Sequence, residues 1–185
     1  MINYKNITKE KIKLNLVVDN DIFIRIISHK DVSLKYLNWL KSYEIMKFTE
    51  QHKKKHTIKS TKFFVEEKLL SNYDLLFGIF FKNEHIGNTK LGPIDWQKKE
   101  AQLSFFLGEK NVWGQGIMPK VINTVLLYAF RSLKLLEIKA GYEKKNLASA
   151  KVFKKCRFEI VKTESKRILN SKKITNVVYV SKKLK

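Results

Sequence analysis

Trp113-Gly114-Gln115-Gly116-Ile117-Met118-Pro119 is the stretch on which the reading of this chain turns. Two glycines separated by one residue let the backbone reverse sharply, so that successive N–H groups can converge on one point. Downstream, Met118, Val121, Ile122, Val125, Leu126, Ala129, Phe130 and Leu133 recur at spacings of three and four, which predicts a long amphipathic helix. Pro119 falls at the start of that helix, where a missing N–H leaves no helical bond unmade. A glycine loop that opens a helix gathers free N–H groups and the positive end of the helix dipole, and so suits an anion, a pyrophosphate above all. It is not a Walker A loop, because GxxxxGK[ST] is absent. Nor is it a Rossmann fingerprint, which needs a third glycine and a strand running directly into the turn. Taken alone, the loop fits a turn that uses glycine only to join a strand to a helix.

On either side of the loop the apolar pattern alternates between strand and helix. Asp21–Ile27 is β-branched and aromatic and reads as a strand, followed by a helix over Asp31–Lys41 capped near Ser28 or Asp31. A second helix runs from Ser60 and ends at Ser71-Asn72. Leu75–Phe81, His85–Leu91 and Gln102–Leu107 are three strand-like runs, the first two joined by the turn Lys82-Asn83-Glu84, which predicts an antiparallel meander. Beyond the long helix come a strand at Glu137–Tyr142, a short helix at Leu147–Cys156, and strands at Phe158–Thr163 and Asn176–Val180 across a polar turn at Asn170–Lys173. The sum is a mixed α/β single domain, with residues 1–20 read as an N-terminal extension and 21–185 as the domain.

Length and composition fit that reading. The 185 residues suit one domain, and a hydrophobic fraction of 44% with 12% aromatics argues against wholesale disorder. Cys156 stands alone, so neither an internal disulfide framework nor an all-cysteine metal cage is available. No run reaches the about 18 apolar residues of a membrane span. The first twenty residues lack the uninterrupted apolar core of a signal peptide, so the cytoplasm is the expected address. The formal charge of +21 invites a nucleic-acid partner. The excess is diffuse, however, and heaviest from Asn146 onwards, residues 146–185 carrying 12 basic and 2 acidic groups. A Lys-rich proteome would produce the same spread. No nucleic-acid-binding motif accompanies the charge, so nucleic acid is disfavoured as a partner.

The strand Ala101–Gly108, the WGQGI loop, the long helix, the next strand and Asn146-Leu147-Ala148-Ser149 at the head of a short helix follow an order that resembles the GNAT family of N-acetyltransferases. Within it the likeness is to the ribosomal-protein-alanine acetyltransferase-like branch, and Glu84–Ile94 (EHIGNTKLGPI) also reads like that branch. The resemblance covers roughly residues 20–165. It implies a mostly antiparallel mixed sheet flanked by helices, with a splayed pair of central parallel strands, and acetyl-CoA as co-substrate. It further implies that Trp113, Gly114, Gln115, Gly116, Ile117 and Met118 form the pyrophosphate loop. Phe105, Phe106 and Leu107 would pair their backbone with the pantetheine arm, and Asn146 would hydrogen-bond to it. A strand N–H near Phe105 or Phe106 would polarise the thioester.

The chain departs from the family pattern where the acid and base are concerned. Phe153 stands where many members have a tyrosine that protonates the leaving thiolate. Arg157 stands where a glycine often precedes Phe158, so Arg157 must either strain or take another path. Gln102 and Lys120 stand where members carry acids. Glu100, His85, His52 and Glu50 remain as candidate bases, with Glu100 and His85 read first as solvent-exposed and His52, like His56, as a loop polar residue. The spacing of His52 and His56 lacks the further ligands of a metal site. Cys156 reads as a small buried residue, since direct transfer needs no acyl-enzyme.

The resemblance sets the acceptor end between Trp39 and Thr57, with Trp39, Phe48 and Trp96 as pocket walls and Gln102 and Ser104 as polar contacts; core packing is the competing reading for Trp39 and Phe48. The function so implied is acetyl transfer to a primary amine, with a slight preference for a small amine such as an amino-sugar or nucleotide-linked amino-sugar. A protein N-terminus is the alternative within the family. A non-catalytic coenzyme-A-binding protein and a basic nucleic-acid-binding module are the alternatives outside it. Whether the chain forms a homodimer stays open.

Overall fold

The computed structural model describes Lys11, residues 13–167 and residues 174–184. Strand β1 (Asn15–Asp19) pairs antiparallel with β2 (Ile22–Ile26), so the boundary expected at residue 20 falls in the turn of a hairpin. Asn15–Asp19 thus lie in the same sheet as the rest of the domain. Leu16 and Val18 turn towards the core while Val17 is exposed, an alternation hidden in the sequence by the flanking lysines and asparagines. In β2 the same period buries Ile22, Ile24 and Ile26 on one face.

Arg25, on the other face of β2, forms a two-pronged ion pair with Asp31 at 2.6 and 3.0 Å and lies over the Phe80 ring at 4.3 Å. Ser28 and Asp31 close a capping box around a single 3-10 turn, His29–Asp31. The first α-helix therefore starts later than expected: α1 is Leu34–Lys41, capped by the Ser33 hydroxyl. A short helix α2 (Tyr43–Met46) and a 3-10 turn (Glu50–Lys53) fill a segment that lacked a clear period in the sequence. Helix α3 (Ile58–Leu70) is capped by Thr57.

Strand β3 (Leu75–Phe81) has the bounds expected. Strand β4 (Glu84–Asp95) runs past Leu91 through Gly92-Pro93, a cis peptide, because a register shift between Leu91 and Ile94 takes the proline out of the ladder. Then follow β5 (Glu100–Leu107), α4 (Ile117–Arg131), β6 (Glu137–Glu143), α5 (Leu147–Lys155), β7 (Glu159–Arg167) and β8 (Ile174–Lys183). The last two strands are longer than expected, and the polar turn expected at Asn170–Lys173 lies outside the described residues. Arg157 takes the strained option, a left-handed φ of 57°, as the chain leaves α5.

The eight strands lie in the order β1-β2-β3-β4-β5-β6-β8-β7, and every neighbouring pair is antiparallel except β5 and β6. Helix α4 buries Ile117, Met118, Val121, Ile122, Val125, Leu126 and Ala129 against one sheet face. Each of the larger of these side chains contributes about 1.5–3 kcal/mol, so packing rather than propensity holds a helix rich in Val, Ile and Thr. On the opposite face α1 and α3 enclose a second core of Ile27, Tyr36, Trp39, Met46, Val65 and Leu76. No helix of the described residues is long and apolar enough to cross a membrane.

Candidate active site

After β5 the chain makes a 3-10 turn (Lys110–Val112) and enters the glycine loop. The Trp113 indole donates to the Leu107 carbonyl at 3.1 Å, and the Gln115 amide donates to the Asn111 carbonyl at 2.8 Å, pinning the loop from both sides. Gly114 and Gly116 have φ of 78° and 76°, and a Cβ at either would touch nothing within 4 Å. Backbone conformation, not crowding, is what requires glycine here. Gly116 is the N-cap of α4, and no side chain caps that helix, so its first-turn N–H groups remain available to an external anion. Ile117 and Met118 bury their side chains, so they can offer a ligand only their backbone.

The parallel pair is short. Glu100, Ala101 and Gln102 face Glu137, Ile138 and Lys139, after which the two strands part. Which peptide groups face the gap follows from strand alternation. Gly108 N–H donates to Ile86 of β4, and the Ser104 carbonyl accepts from Thr89 of β4, so even-numbered peptides point towards β4. The Leu107 carbonyl, bonded to Trp113, points the other way. The Phe105 peptide therefore faces the opening between β5 and β6.

That opening leads into a cavity of about 560 Å³. Phe105, Tyr142, Asn146, Ser149 and Phe153 line its V end, and Tyr36, Asn88, Lys90, Ser104 and Phe106 line its floor. Phe48, Glu50, Lys54, Lys55, His56 and Phe64 line the far end. Phe153 is 3% exposed and packs on Tyr142 at 5.6 Å, Phe105 at 5.4 Å and Phe158 at 5.0 Å. The wall is thus apolar where the family resemblance would have set a phenol, and Tyr142 brings a phenol to the same place from β6. Asn146 caps α5, its Oδ1 accepting from the Ser149 N–H at 3.1 Å, which leaves Nδ2 as the group it can offer a ligand. Cys156 is buried, and burial pushes its thiol up to about 11, so it is no nucleophile.

The five residues expected around the acceptor are divided by the structure. Phe48 and Ser104 line the cavity. Trp39 does not: it is 4% exposed, its indole donates to Glu109 at 2.9 Å, and its ring lies so flat on Gly108 that a Cβ there would sit 2.0 Å away. Trp39 is core. Trp96 and Gln102 line a different cavity, at the paired end of β5 and β6, beside Glu100 and Lys139. Gln102 and Ser104 share a strand face, but two residues of strand separate them by about 6.7 Å, enough to divide them between cavities.

Of the candidate bases, Glu50 alone lines the main cavity, with its carboxylate paired to Lys53 at 2.9 Å. Glu100 pairs with Lys139 at 2.5 Å in the other cavity, and His52 Nδ1 lies 2.5 Å from the Thr49 carbonyl. His56 lines the cavity, and because its Nε2 faces the Gln51 carbonyl at 2.8 Å, that nitrogen carries a proton and Nδ1 is the nitrogen not used in this contact. Among the described residues no three His, Cys, Asp or Glu side chains gather as a metal site.

His85, expected at the surface, lies behind the cavity floor against the rings of Tyr36, Trp39 and Phe80. Its Nε2 is 3.0 Å from the Gly87 carbonyl and 2.8 Å from Asn88 Oδ1, and burial holds its pKa below 6.5. Asn88 is 3% exposed, and its side chain lies against the Tyr36 phenol, whose pKa it lowers against the effect of burial. Tyr36 stays protonated, its pKa raised by burial. Tyr36, Asn88, Lys90, Tyr142 and Ser149 were missed in the sequence. The polar positions Asn88 and Lys90 at period two on β4 were the available signal.

Two curated relatives resemble the chain. One, a probable N-acetyltransferase YjcK of Bacillus subtilis, is 35% identical over 50% of this chain, and the matched stretch spans 52% of the relative's own length. The other, an uncharacterized N-acetyltransferase p20 of Bacillus licheniformis, is 27% identical over 84% of this chain and 80% of the relative. Among solved structures, an acetyltransferase of Salmonella typhimurium that modifies the N-terminal serine of a 50S ribosomal subunit protein superposes with a TM-score of 0.82, at 17% identity over 93% of this chain and 100% of that one. A microcin self-immunity acetyltransferase in complex with acetyl-CoA and AMP gives 0.79, at 20% identity over 90% and 94%. At these identities the structural likenesses establish the fold. The model of the acetyltransferase (GNAT) domain matches residues 21–159, about three quarters of the chain, and the protein belongs to the GNAT acetyltransferase family.

Proposed function

We propose that this chain transfers the acetyl group of acetyl-CoA directly to the primary amine of a small acceptor that also carries negative charge, such as a nucleotide-linked amino-sugar. The observation that carries this reading is the single cavity that joins the β5–β6 opening to a basic far end. Lys54, Lys55 and His56 line that end, with Glu50 as the one carboxylate among the described residues that line the cavity. A polyamine would meet lysines there, whereas a phosphate or sugar acid would be drawn in. The microcin enzyme of the same fold is a complex with both acetyl-CoA and AMP, which supports a nucleotide-bearing acceptor.

The residues present fit acetyl-CoA. The uncapped start of α4 and the two left-handed glycines would hold its pyrophosphate. The open edge of β5 would take its amide-bearing arm as an added strand, and Asn146 Nδ2 would bond to that arm. Acetyl-CoA supplies an activated thioester, so the protein needs to align the amine and stabilise charge on one oxygen. The Phe105 N–H is the donor for that oxygen. His56 Nδ1 is the lone pair that takes the proton of the incoming ammonium, directly or through water. Tyr142 holds the hydroxyl proton at the V end, in the role that Phe153 cannot fill.

The test is thiol release from acetyl-CoA with a panel of amines: amino-sugars and their nucleotide conjugates, peptides with different N-termini, and spermidine. The reading expects saturable release with the anionic amino-sugars. Release with spermidine alone would contradict it, and release with peptides alone would move the assignment to a protein N-terminus.

A further inference from the structure

Strand β7 (Glu159–Arg167) ends the sheet: β8 pairs with one of its edges, and no described strand pairs with the other. Every residue from Glu159 to Lys166 is exposed, whichever face it occupies, with Ile160 at 68% and Val161 at 61%. An edge strand uncovered on both faces offers its unpaired N–H and C=O groups to another strand, and natural edges are often protected by charge. The charge on β7 is not of one sign. Residues 146–185 carry 12 basic groups and 2 acidic ones, and both acids, Glu159 and Glu164, stand on this strand. Lys162 and Glu164 share one face of it and pair at 2.5 Å. The shift in register against β8 falls between Ile160 and Lys162, so the stretch that follows is regular.

We propose that β7 is the surface on which two copies of this chain meet, the two β7 strands pairing antiparallel about a twofold axis at Thr163. Two arguments select that register. Thr163 is the midpoint of Glu159–Arg167, so pairing centred there uses the whole strand. The same register sets Lys162 opposite Glu164 of the partner subunit and, by symmetry, Glu164 opposite Lys162 of the partner subunit. Four charges then alternate in sign around the axis. Moving the axis by one residue puts Lys162 against Lys162 of the partner subunit, or Glu164 against Glu164 of the partner subunit. Like charges directly opposite destabilise a strand pair. Ile160 comes opposite Lys166 of the partner subunit, whose aliphatic stem can cover it. An anionic polymer would be drawn to the surrounding lysines, but on β7 it would meet the two acids of this segment. A second copy meets complementary charge instead. This interface stands apart from the acetyltransferase reading and does not depend on it.

The experiment uses the full chain. Sedimentation of the wild type is expected to show a concentration-dependent rise to twice the chain mass. Thr163→Cys should form a disulfide-linked dimer under mild oxidation, because residues facing each other across the axis bring their Cα atoms to about 4.5–5.5 Å. Ser165→Cys should form none, since its two copies lie four residues out of register, about 13 Å apart. Cys156 is buried, so the wild type supplies the background for both. In a second arm, Lys162→Glu and Glu164→Lys each set like charges opposite one another and should weaken dimerisation by about tenfold or more. The double exchange, Lys162→Glu with Glu164→Lys, restores opposite charges and should bring the affinity back to within about threefold of the wild type. Far-UV circular dichroism reports whether each variant is folded. A wild type that stays at single-chain mass overturns the proposal, whether or not nucleic acid then binds the strand. So does a dimer that Thr163→Cys fails to lock, or one that the single charge variants leave unchanged, or one that the double exchange fails to restore.

Discussion

The polar groups offered by β5 and by the loop before α4 are peptide N–H groups, whereas those on the far end and floor of the cavity are side chains of Tyr36, Glu50, His56, Asn88 and Lys90 drawn from separate elements. The first kind of site is local. Two glycines, a helix start and a strand edge create it, and all of them lie within about twenty residues of chain. The second kind exists only once α1, β4 and the segment after α2 have been brought together. One family can therefore keep its cofactor end while the acceptor end is rebuilt by substitutions that leave the backbone alone.

Breaking the local end should have the largest effect. Gly114→Glu forces a left-handed φ on a residue with a Cβ and brings a negative charge to an anion site. Its expected result is loss of the acetyl-CoA thermal shift and at least about a hundredfold fall in kcat/KM for acetyl-CoA, with the far-UV circular dichroism of the wild type. Next comes Tyr142→Phe, which keeps the ring stacked on Phe153. It should lower kcat by about 10- to 100-fold, as loss of a general acid does, and leave the KM for acetyl-CoA within about twofold, as steady-state kinetics can check.

Smaller effects fall on stability. Gly108→Ala drives a methyl group into the Trp39 ring and should cost about 1–3 kcal/mol, read by denaturant unfolding. His85 is a pH probe of the floor. Its folded pKa lies below 6.5, so the unfolded chain binds the proton more readily, and stability is lost as pH falls from about 7 towards the folded pKa. His85→Phe should flatten that part of the Tm–pH curve. The least effect is expected of Gln102→Ala, in the other cavity: kcat/KM for amine within about twofold of wild type. A large loss there would join the two cavities in function and erase the contrast between the ends.

The same contrast explains what could be read in the sequence. The β3 strand, the α4 helix and the glycine loop were legible because each is written in a local period or in glycine. Where a register shift carried β4 past Pro93, or where Leu16 and Val18 alternate among polar residues, the period was too short or too interrupted to read. A large aromatic near the acceptor segment reads equally as a pocket wall or as core, and for Trp39 the contact with Gly108, almost seventy positions away in the chain, makes it core. His85 was assigned to the surface because it follows a turn, yet α1 covers it with Tyr36 and Trp39. Non-local packing decided both.

The central claim is that one continuous cavity aligns acetyl-CoA on the β5 edge with an amine at its basic end. The most direct measurement is coenzyme A release by the wild-type protein, followed by thiol titration and by mass of the product, with acetyl-CoA and glucosamine 1-phosphate as substrates. The account predicts saturable release that requires both substrates, one N-acetyl group gained per thiol freed, and loss of the reaction in Gly114→Glu. Amine-independent thiol release, or no release with any amine despite a clear acetyl-CoA thermal shift, would contradict it.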